Sequence, residues 1–263
     1  MPNTHPFSTI PPILHQTSLT VEVPKRWRHT VAASQEMHPG WRYELWTNDR
    51  ARRYVADHHP ELAETFNAYE RDIMRADVIR YVVMHDLGGV YCDLDYEFLR
   101  PYDYRGADLV VAMEFARDYG DELDIVAGFF LASAPGHPFW ADVLAELTER
   151  PPTTGSYHDV VDATGPGMLT RVFFANRHKY AGVRVEPRPA FSPFRMRGAN
   201  ERQVLLNSGV TYGIHHAWGS WRERWSATYF KTKIAQWVFG KREKPIGAGT
   251  PTPAGAVPTR RAA

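Results

Sequence analysis

One cysteine, Cys92, among 263 residues leaves no pair for an internal disulfide, so the chain must hold itself together by burial rather than by cross-links. Charge of one sign is missing too: 31 Lys and Arg against 30 Asp and Glu give a net +1, which offers no overall field for nucleic acid. No run reaches the roughly 18 apolar residues of a membrane-spanning helix. Met1 to Ile10 lack a basic stretch followed by an apolar one, so no secretory leader is read there and the cytoplasm is the expected compartment. Apolar and aromatic residues are plentiful, at 43% and 13%, enough for one globular domain with a sizeable core. Eight Trp and thirteen Tyr exceed ordinary packing needs, and some suit stacking on a base or sugar.

Periodicity orders the chain as strands alternating with helices. Residues 10–17 read as a short buried strand, and Pro24 opens a helix carrying Trp27 and Val31, closed by Pro39-Gly40. Trp41 to Trp46 alternates as a strand, Asn48 or Asp49 caps the next helix, and Pro60 starts another. The strongest helix spans 69–87, with Ile73, Met74, Val83, Met84 and Leu87 spaced for one buried stripe. Gly88-Gly89 ends it. Apolar runs follow at 108–115 and 124–133, then a helix from Gly136-His137-Pro138 through Leu147, a Pro-, Thr- and Gly-rich loop over 150–167, a helix at 168–178, and strands near 183–187 and 204–214. This alternation implies an α/β fold with a mainly parallel central sheet flanked by helices. From about Lys241 the composition turns to Pro, Gly, Ala and Thr, predicting a disordered tail over 241–263.

The chemistry concentrates in Gly88-Gly89-Val90-Tyr91-Cys92-Asp93-Leu94-Asp95-Tyr96. On an extended strand alternate side chains share a face, so Asp93, Asp95 and Glu97 project together while Val90, Cys92 and Leu94 face a core. Two carboxylates roughly 6.5 Å apart along a strand suit one divalent cation that completes its shell with phosphate oxygens. Apolar neighbours place these carboxylates near the interior, where something positive must meet them. Arg80 or a metal fits that need. Asp77 and Arg80, three apart on a helix, share a face and can hold a hydroxyl and a phosphate together. The alternative is a mutual surface ion pair. A metal-dependent phosphohydrolase would also use paired Asp, although Glu97 stands where haloacid-type phosphatases carry Thr. A sugar-binding protein with a decayed site is a non-enzymatic alternative.

Taken in order, these pieces resemble glycosyltransferase family 32, whose members carry a DXD sugar-binding region on a GT-A type fold. The matching segments are Ile10 to Gln16, Pro39 to Trp46, Arg75-Ala76-Asp77 with Arg80-Tyr81, Gly88 to Asp95, Ser133 to Pro138, Thr164-Gly165-Pro166 and His215 to Trp221. The resemblance implies a GT-A catalytic domain over 1–240. It implies an enzyme that moves a hexose from a UDP- or GDP-sugar, with retention and with Mn²⁺ or Mg²⁺, to a glycan or lipid-linked acceptor, as bacterial enzymes of polysaccharide synthesis do. Asp95 would hold the metal and Asp93 the metal or the ribose, with His216 as the chosen third ligand through a match of His216-Ala217-Trp218-Gly219 to a closing His-x-x-Gly, and His215 as the alternative. Asp93, Asp95, Arg80 and Asp77 would be the catalytic set. His15, Gln16, Trp46, Tyr91, Asp77, Arg80 and Asp93 would contact the donor, the first three at strand ends where open α/β sheets bind nucleotides. Asp162 and Thr164-Gly165-Pro166 could border the acceptor. Ala127 stands where similar enzymes often carry Asn, which leaves the donor sugar open, and a toxin-like transferase acting on proteins is the remaining relative. Residues 225–244, with Phe230, Ile234, Trp237 and Val238 on one helical face amid Lys and Arg, read either as a terminal helix packed on the core or as a peripheral membrane contact.

Overall fold

A computed structural model describes residues 9–115, 124–149, 157–191, 203–204 and 207–217. The segment 225–244 and the tail 241–263 lie outside the described residues. Strand β1 (Ile13–Ser18) leads through a 3-10 turn into α1 (Arg28–Glu36), then β2 (Arg42–Thr47), α2 (Asn48–His58), α3 (Pro60–Ala68) and α4 (Asp72–Asp86). After these come β3 (Gly89–Cys92), β4 (Tyr96–Phe98), β5 (Leu109–Phe115), β6 (Asp124–Ser133), α5 (Pro138–Glu149), α6 (Tyr157–Ala163), α7 (Pro166–Asn176), β7 (Val183–Glu186), α8 (Arg188–Phe191) and β8 (Gly213–His215).

Six strands form one sheet in the order β2-β1-β3-β6-β5-β7, and β4 pairs with β8 in a second, two-stranded sheet. The β1–β2, β1–β3 and β5–β7 pairs are parallel, and β6 alone runs against its neighbours β3 and β5. The expected α/β architecture with a mainly parallel sheet is therefore observed. One core packs Trp46, Phe66, Val78, Tyr81, Tyr91, Trp140 and Phe173 against one sheet face. The other packs Leu14, Val90, Cys92, Tyr96, Phe130 and Phe191 on the opposite face. Tyr91 falls in the first core and its neighbours Val90 and Cys92 in the second, as strand alternation requires.

Four local expectations need correction. Helix α4 buries Met74, Val78, Ile79, Tyr81, Val82, Val83 and Met84 together with Arg75, Asp77 and Arg80, so it is enclosed on most sides rather than along one stripe. It packs against α2, α3 and α5 as well as the sheet, and its charged residues disguise that in the sequence. Thr47, not Asn48 or Asp49, caps α2 by accepting a hydrogen bond from Arg50 N. The loop expected over 150–167 contains α6, and the strand expected over 204–214 is confined to Gly213–His215. Gly88 and Gly89 do end the helix, with φ of 60° and 100°, and a Cβ on Gly88 would meet Pro135 N at 2.6 Å. Only glycine makes that turn without strain. Among the described residues no helix is long and apolar enough to cross a membrane.

Candidate active site

Strand β3 stops at Cys92, and the chain turns. Asp93 N donates to Phe129 O at 2.9 Å and Tyr96 N donates back to Asp93 O at 3.0 Å. Asp93-Leu94-Asp95 is thus a turn between β3 and β4, and alternation along a strand is not what joins the carboxylates. The joining element is β8, whose His215 lies opposite Tyr96 in the β4–β8 pair. His215 Nε2 is 3.5 Å from Asp95 Oδ1 and 3.9 Å from Asp93 Oδ2, and one ligand atom from each of the three residues lies within 4.8 Å of the others. The His215 ring stacks on Phe129, with centroids 4.3 Å apart. Burial opposes charge on His215, but Asp95, Asp93 and Glu114 outweigh it and raise its pKa above the ordinary value.

His216, expected as the third ligand, is directed elsewhere: its Nε2 sits 2.8 Å from Glu97, and its ring lies near His29. Consecutive residues leaving a strand face opposite sides, so only one of the two histidines can join the aspartates. Glu97 accordingly departs from Asp93 and Asp95 instead of sharing their face. The next residue, Ala217, holds a left-handed φ of 49°, a strained backbone for alanine.

Two carboxylate oxygens and one imidazole nitrogen form a donor set suited to Mn²⁺ or Mg²⁺, with Mn²⁺ favoured by the nitrogen. The surrounding bonds fit that reading. Tyr91 donates its hydroxyl to Asp93 Oδ1 at 2.7 Å and meets Thr17 Oγ1 at 2.9 Å, which leaves Asp93 Oδ2 facing His215. Arg80 approaches the same Oδ1 at 3.5 Å, pairs with Asp77 at 2.8 Å and donates to Gly128 O at 2.5 Å. Hydrogen-bonded carboxylates behind a metal site orient the ligands. Thr164 Oγ1 donates to Asp77 Oδ2 at 3.0 Å, so the Thr164-Gly165-Pro166 segment docks on the buried ion pair. Full burial pushes the Asp77 carboxyl up to about 7 against the pull of Arg80 and Thr164.

Exposure separates ligand-facing residues from supporting ones. Asp93, Asp95 and His215 keep 27%, 15% and 14% of their side-chain surface. His15, Gln16, Trp46 and Tyr91 are fully enclosed or nearly so, and Asp77 and Arg80 are buried. The expected contacts of His15, Gln16 and Trp46 with a base are therefore corrected: these side chains have no surface to offer. Trp46 Nε1 donates to His15 Nδ1 at 3.0 Å, and His15 Nε2 meets Gly88 O at 2.9 Å, which fixes a neutral ring with hydrogen on Nε2. Gln16 bridges Tyr43, Cys92 and Asp93 O. These residues stiffen the β1–β3 junction beneath the acidic turn.

Two expected results arise here. Burial holds the His15 pKa at about 4, against 6.5 when free. A lowered histidine pKa gives stability that is intact above about 6.5 and is lost as pH falls toward about 4. Urea unfolding should show a loss of about 2 kcal/mol between pH 7 and pH 5 from this group, and His15→Gln should flatten the slope. An equal slope in both proteins would remove His15 as its source. Cys92 is the second case: burial pushes its thiol up to about 12, against weak hydrogen bonds from Ser34 and Gln16. A thiol reagent should leave native protein unlabelled at neutral pH and titrate one thiol after denaturation. Rapid labelling of the folded protein would show that the site opens.

Comparison with known proteins adds to this geometry. Residues 24–112 match the model of the glycosyltransferase sugar-binding region containing the DXD motif. Inositol phosphoceramide mannosyltransferase 3 of Schizosaccharomyces pombe is 32% identical over 176 residues, covering 65% of this chain and 46% of that protein. Mannosyl phosphorylinositol ceramide synthase SUR1 of Saccharomyces cerevisiae is 32% identical over 168 residues, covering 62% and 42%. The chain thus spans about half the length of these relatives. They are fungal mannosyltransferases by name, and nothing among them supports the expected bacterial polysaccharide setting. Among solved structures, the PaToxG glycosyltransferase aligns with a TM-score of 0.49 at 13% identity, over 64% of this chain and 70% of that one. The matched region holds β2, β3, β4 and the Asp93-Leu94-Asp95 turn between the last two, so this part of the chain is similar to the glycosyltransferase sugar-binding region that contains the DXD motif.

Proposed function

We propose that the protein transfers a hexose, mannose in the first instance, from a nucleotide diphosphate sugar to a hydroxyl of a glycan or polar lipid headgroup, with retention and with a divalent cation. The observation that carries this reading is the convergence of Asp93, Asp95 and His215 where the sheet's β3 ends. The names of the fungal relatives supply the sugar and the lipid class of acceptor. Asp93, Asp95 and His215 would hold the cation, which would offset the negative charge that grows on a departing diphosphate.

The chain's own groups do the rest by position. Tyr91 and Arg80 fix Asp93 from behind, so the carboxylate does not reorganise during the reaction. Arg80 and Asp77 stay buried and act through Asp93 and the Gly128 backbone rather than on the sugar. No side chain within reach of the turn is assigned as a covalent nucleophile. The acceptor hydroxyl would approach from the face that the leaving group departs and pass its proton to a phosphate oxygen. The test is a screen of GDP- and UDP-sugars, mannosyl donors included, with Mn²⁺ and then Mg²⁺, scored for donor hydrolysis and transfer. Turnover of at least one donor that stops on chelation supports the proposal. Release of phosphate from simple monoesters without any donor turnover would favour a phosphohydrolase instead.

A further inference from the structure

A second group of metal-type side chains lies at the other end of β3 from the acidic turn. His59 stands between α2 and α3, and His85 and Asp86 close α4, just before Gly88-Gly89. One ligand atom from each lies within 4.8 Å of the others, and all three side chains are half-buried. Asp86 offers both oxygens: Oδ2 is 2.9 Å from His59 Nε2 and Oδ1 is 2.8 Å from His85 Nδ1. Tyr54 donates its hydroxyl to Asp86 Oδ2 at 3.1 Å, which orients the carboxylate.

The surroundings of His59 suit a bound cation. Its ring has a carboxylate at each nitrogen, Glu61 at 3.4 Å from Nδ1 and Asp86 at 2.9 Å from Nε2. A neutral imidazole carries only one N–H. If Nδ1 gives its hydrogen to Glu61, Nε2 turns a lone pair toward an oxygen that is itself an acceptor. A metal bound at Nε2 turns that clash into shared coordination with Asp86, whereas without one the hydrogen sits on Nε2, the ring donates to Asp86, and the exposed Glu61 is left to water. A ligating histidine that hands its other N–H to a carboxylate is the common outer-shell arrangement of protein metal sites.

The geometry points to a transition-metal site formed by His59, His85 and Asp86, backed by Glu61, that takes Zn²⁺ or a cation of similar softness. Two imidazoles and a carboxylate leave a fourth position open and select zinc, nickel or copper over magnesium. The acidic turn, with two carboxylates and one histidine, prefers the harder ions, so the two sites would sort metals by ligand chemistry. A metal here would tie the α2–α3 junction to the end of α4 and so stiffen the helix that carries Asp77 and Arg80. This inference does not depend on the proposed transferase activity.

The experiment is calorimetric titration of Zn²⁺ at pH 7.5 into Asp95→Asn protein, in which the acidic turn is weakened. One Zn²⁺ per chain is expected, with an unfolding temperature raised by roughly 5 °C at a hundredfold excess over Kd. His59→Ala and His85→Ala, each in that background, should abolish binding, while Mg²⁺ should give no heat assigned to this site. Glu61 is exposed, so Glu61→Gln should fold normally and weaken Zn²⁺ binding about tenfold, which keeps the test open if a histidine variant fails to fold. Binding unaffected by His59→Ala, His85→Ala and Glu61→Gln, or no Zn²⁺ bound to Asp95→Asn protein, would overturn the site.

Discussion

Asp95→Asn protein is expected to unfold at nearly the temperature of the parent and to lose transfer by roughly 10³-fold, or about 4 kcal/mol of transition-state stabilisation. Asp95 keeps 15% of its side-chain surface and faces His215 Nε2 at 3.5 Å, so its carboxylate points into the space a cation would fill. The amide keeps the shape and removes the charge, and His215 retains Asp93 at 3.9 Å. The loss should appear in turnover and in the Mn²⁺ concentration needed for half activity. His215→Ala should raise that concentration 10- to 100-fold, and His216→Ala should raise it less, since His216 faces Glu97. The ligand assignment fails if His216→Ala is the more damaging change. Full turnover of chelated parent enzyme would end the cation proposal for all three residues.

How much of this was legible in the sequence depended on whether a local pattern determined the geometry. Strand alternation and glycine punctuation are local, so the parallel sheet, the end of α4 at Gly88-Gly89 and the inward-facing Cys92 could be read directly. The importance of the Asp93-Leu94-Asp95 segment was legible as well, but its shape was not. A turn depends on Phe129 accepting from Asp93 N, a contact thirty-odd positions away in sequence that no local pattern reports. The same holds for the third ligand. Adjacent His215 and His216 are equivalent in composition, and only the pairing of β8 with β4 decides which faces the aspartates. Alternation carried past the expected strand over 204–214, into His215 and His216, would have shown that the two must diverge. His15 and Trp46 failed for another reason: β1 runs on past His15 to Ser18, and the hydrogen bond between His15 and Trp46 lies inside the core. Burial is a property of the packed whole.

Arg80→Ala should be the most costly single change to the fold, at about 3–5 kcal/mol, because it leaves a buried carboxylate without its partner. Arg80 pairs with Asp77 at 2.8 Å, approaches Asp93 at 3.5 Å, donates to Gly128 O and lies over the Tyr91 ring at 4.8 Å. Burial already raises the Asp77 pKa to about 7 with the guanidinium in place, and removing that cation must raise it further. A carboxyl with a raised folded pKa contributes stability that is present at low pH and is lost as pH climbs through the folded value. The variant should therefore be least stable near pH 8 and recover toward pH 5, where Asp77 binds a proton. Adding Asp77→Asn should restore much of the stability at pH 8 without restoring activity, since Asp93 Oδ1 would still lack its charged neighbour. Arg80→Lys should recover only part of either property, because one ammonium cannot reach Asp77, Asp93 and the Gly128 carbonyl together. Urea unfolding of the four proteins at pH 5 and pH 8, with nucleotide-sugar binding measured alongside, separates the outcomes. A cost equal at both pH values and unrelieved by Asp77→Asn would mean that Arg80 acts by packing alone. Unchanged donor binding and turnover in folded Arg80→Ala protein would remove it from the support of Asp93.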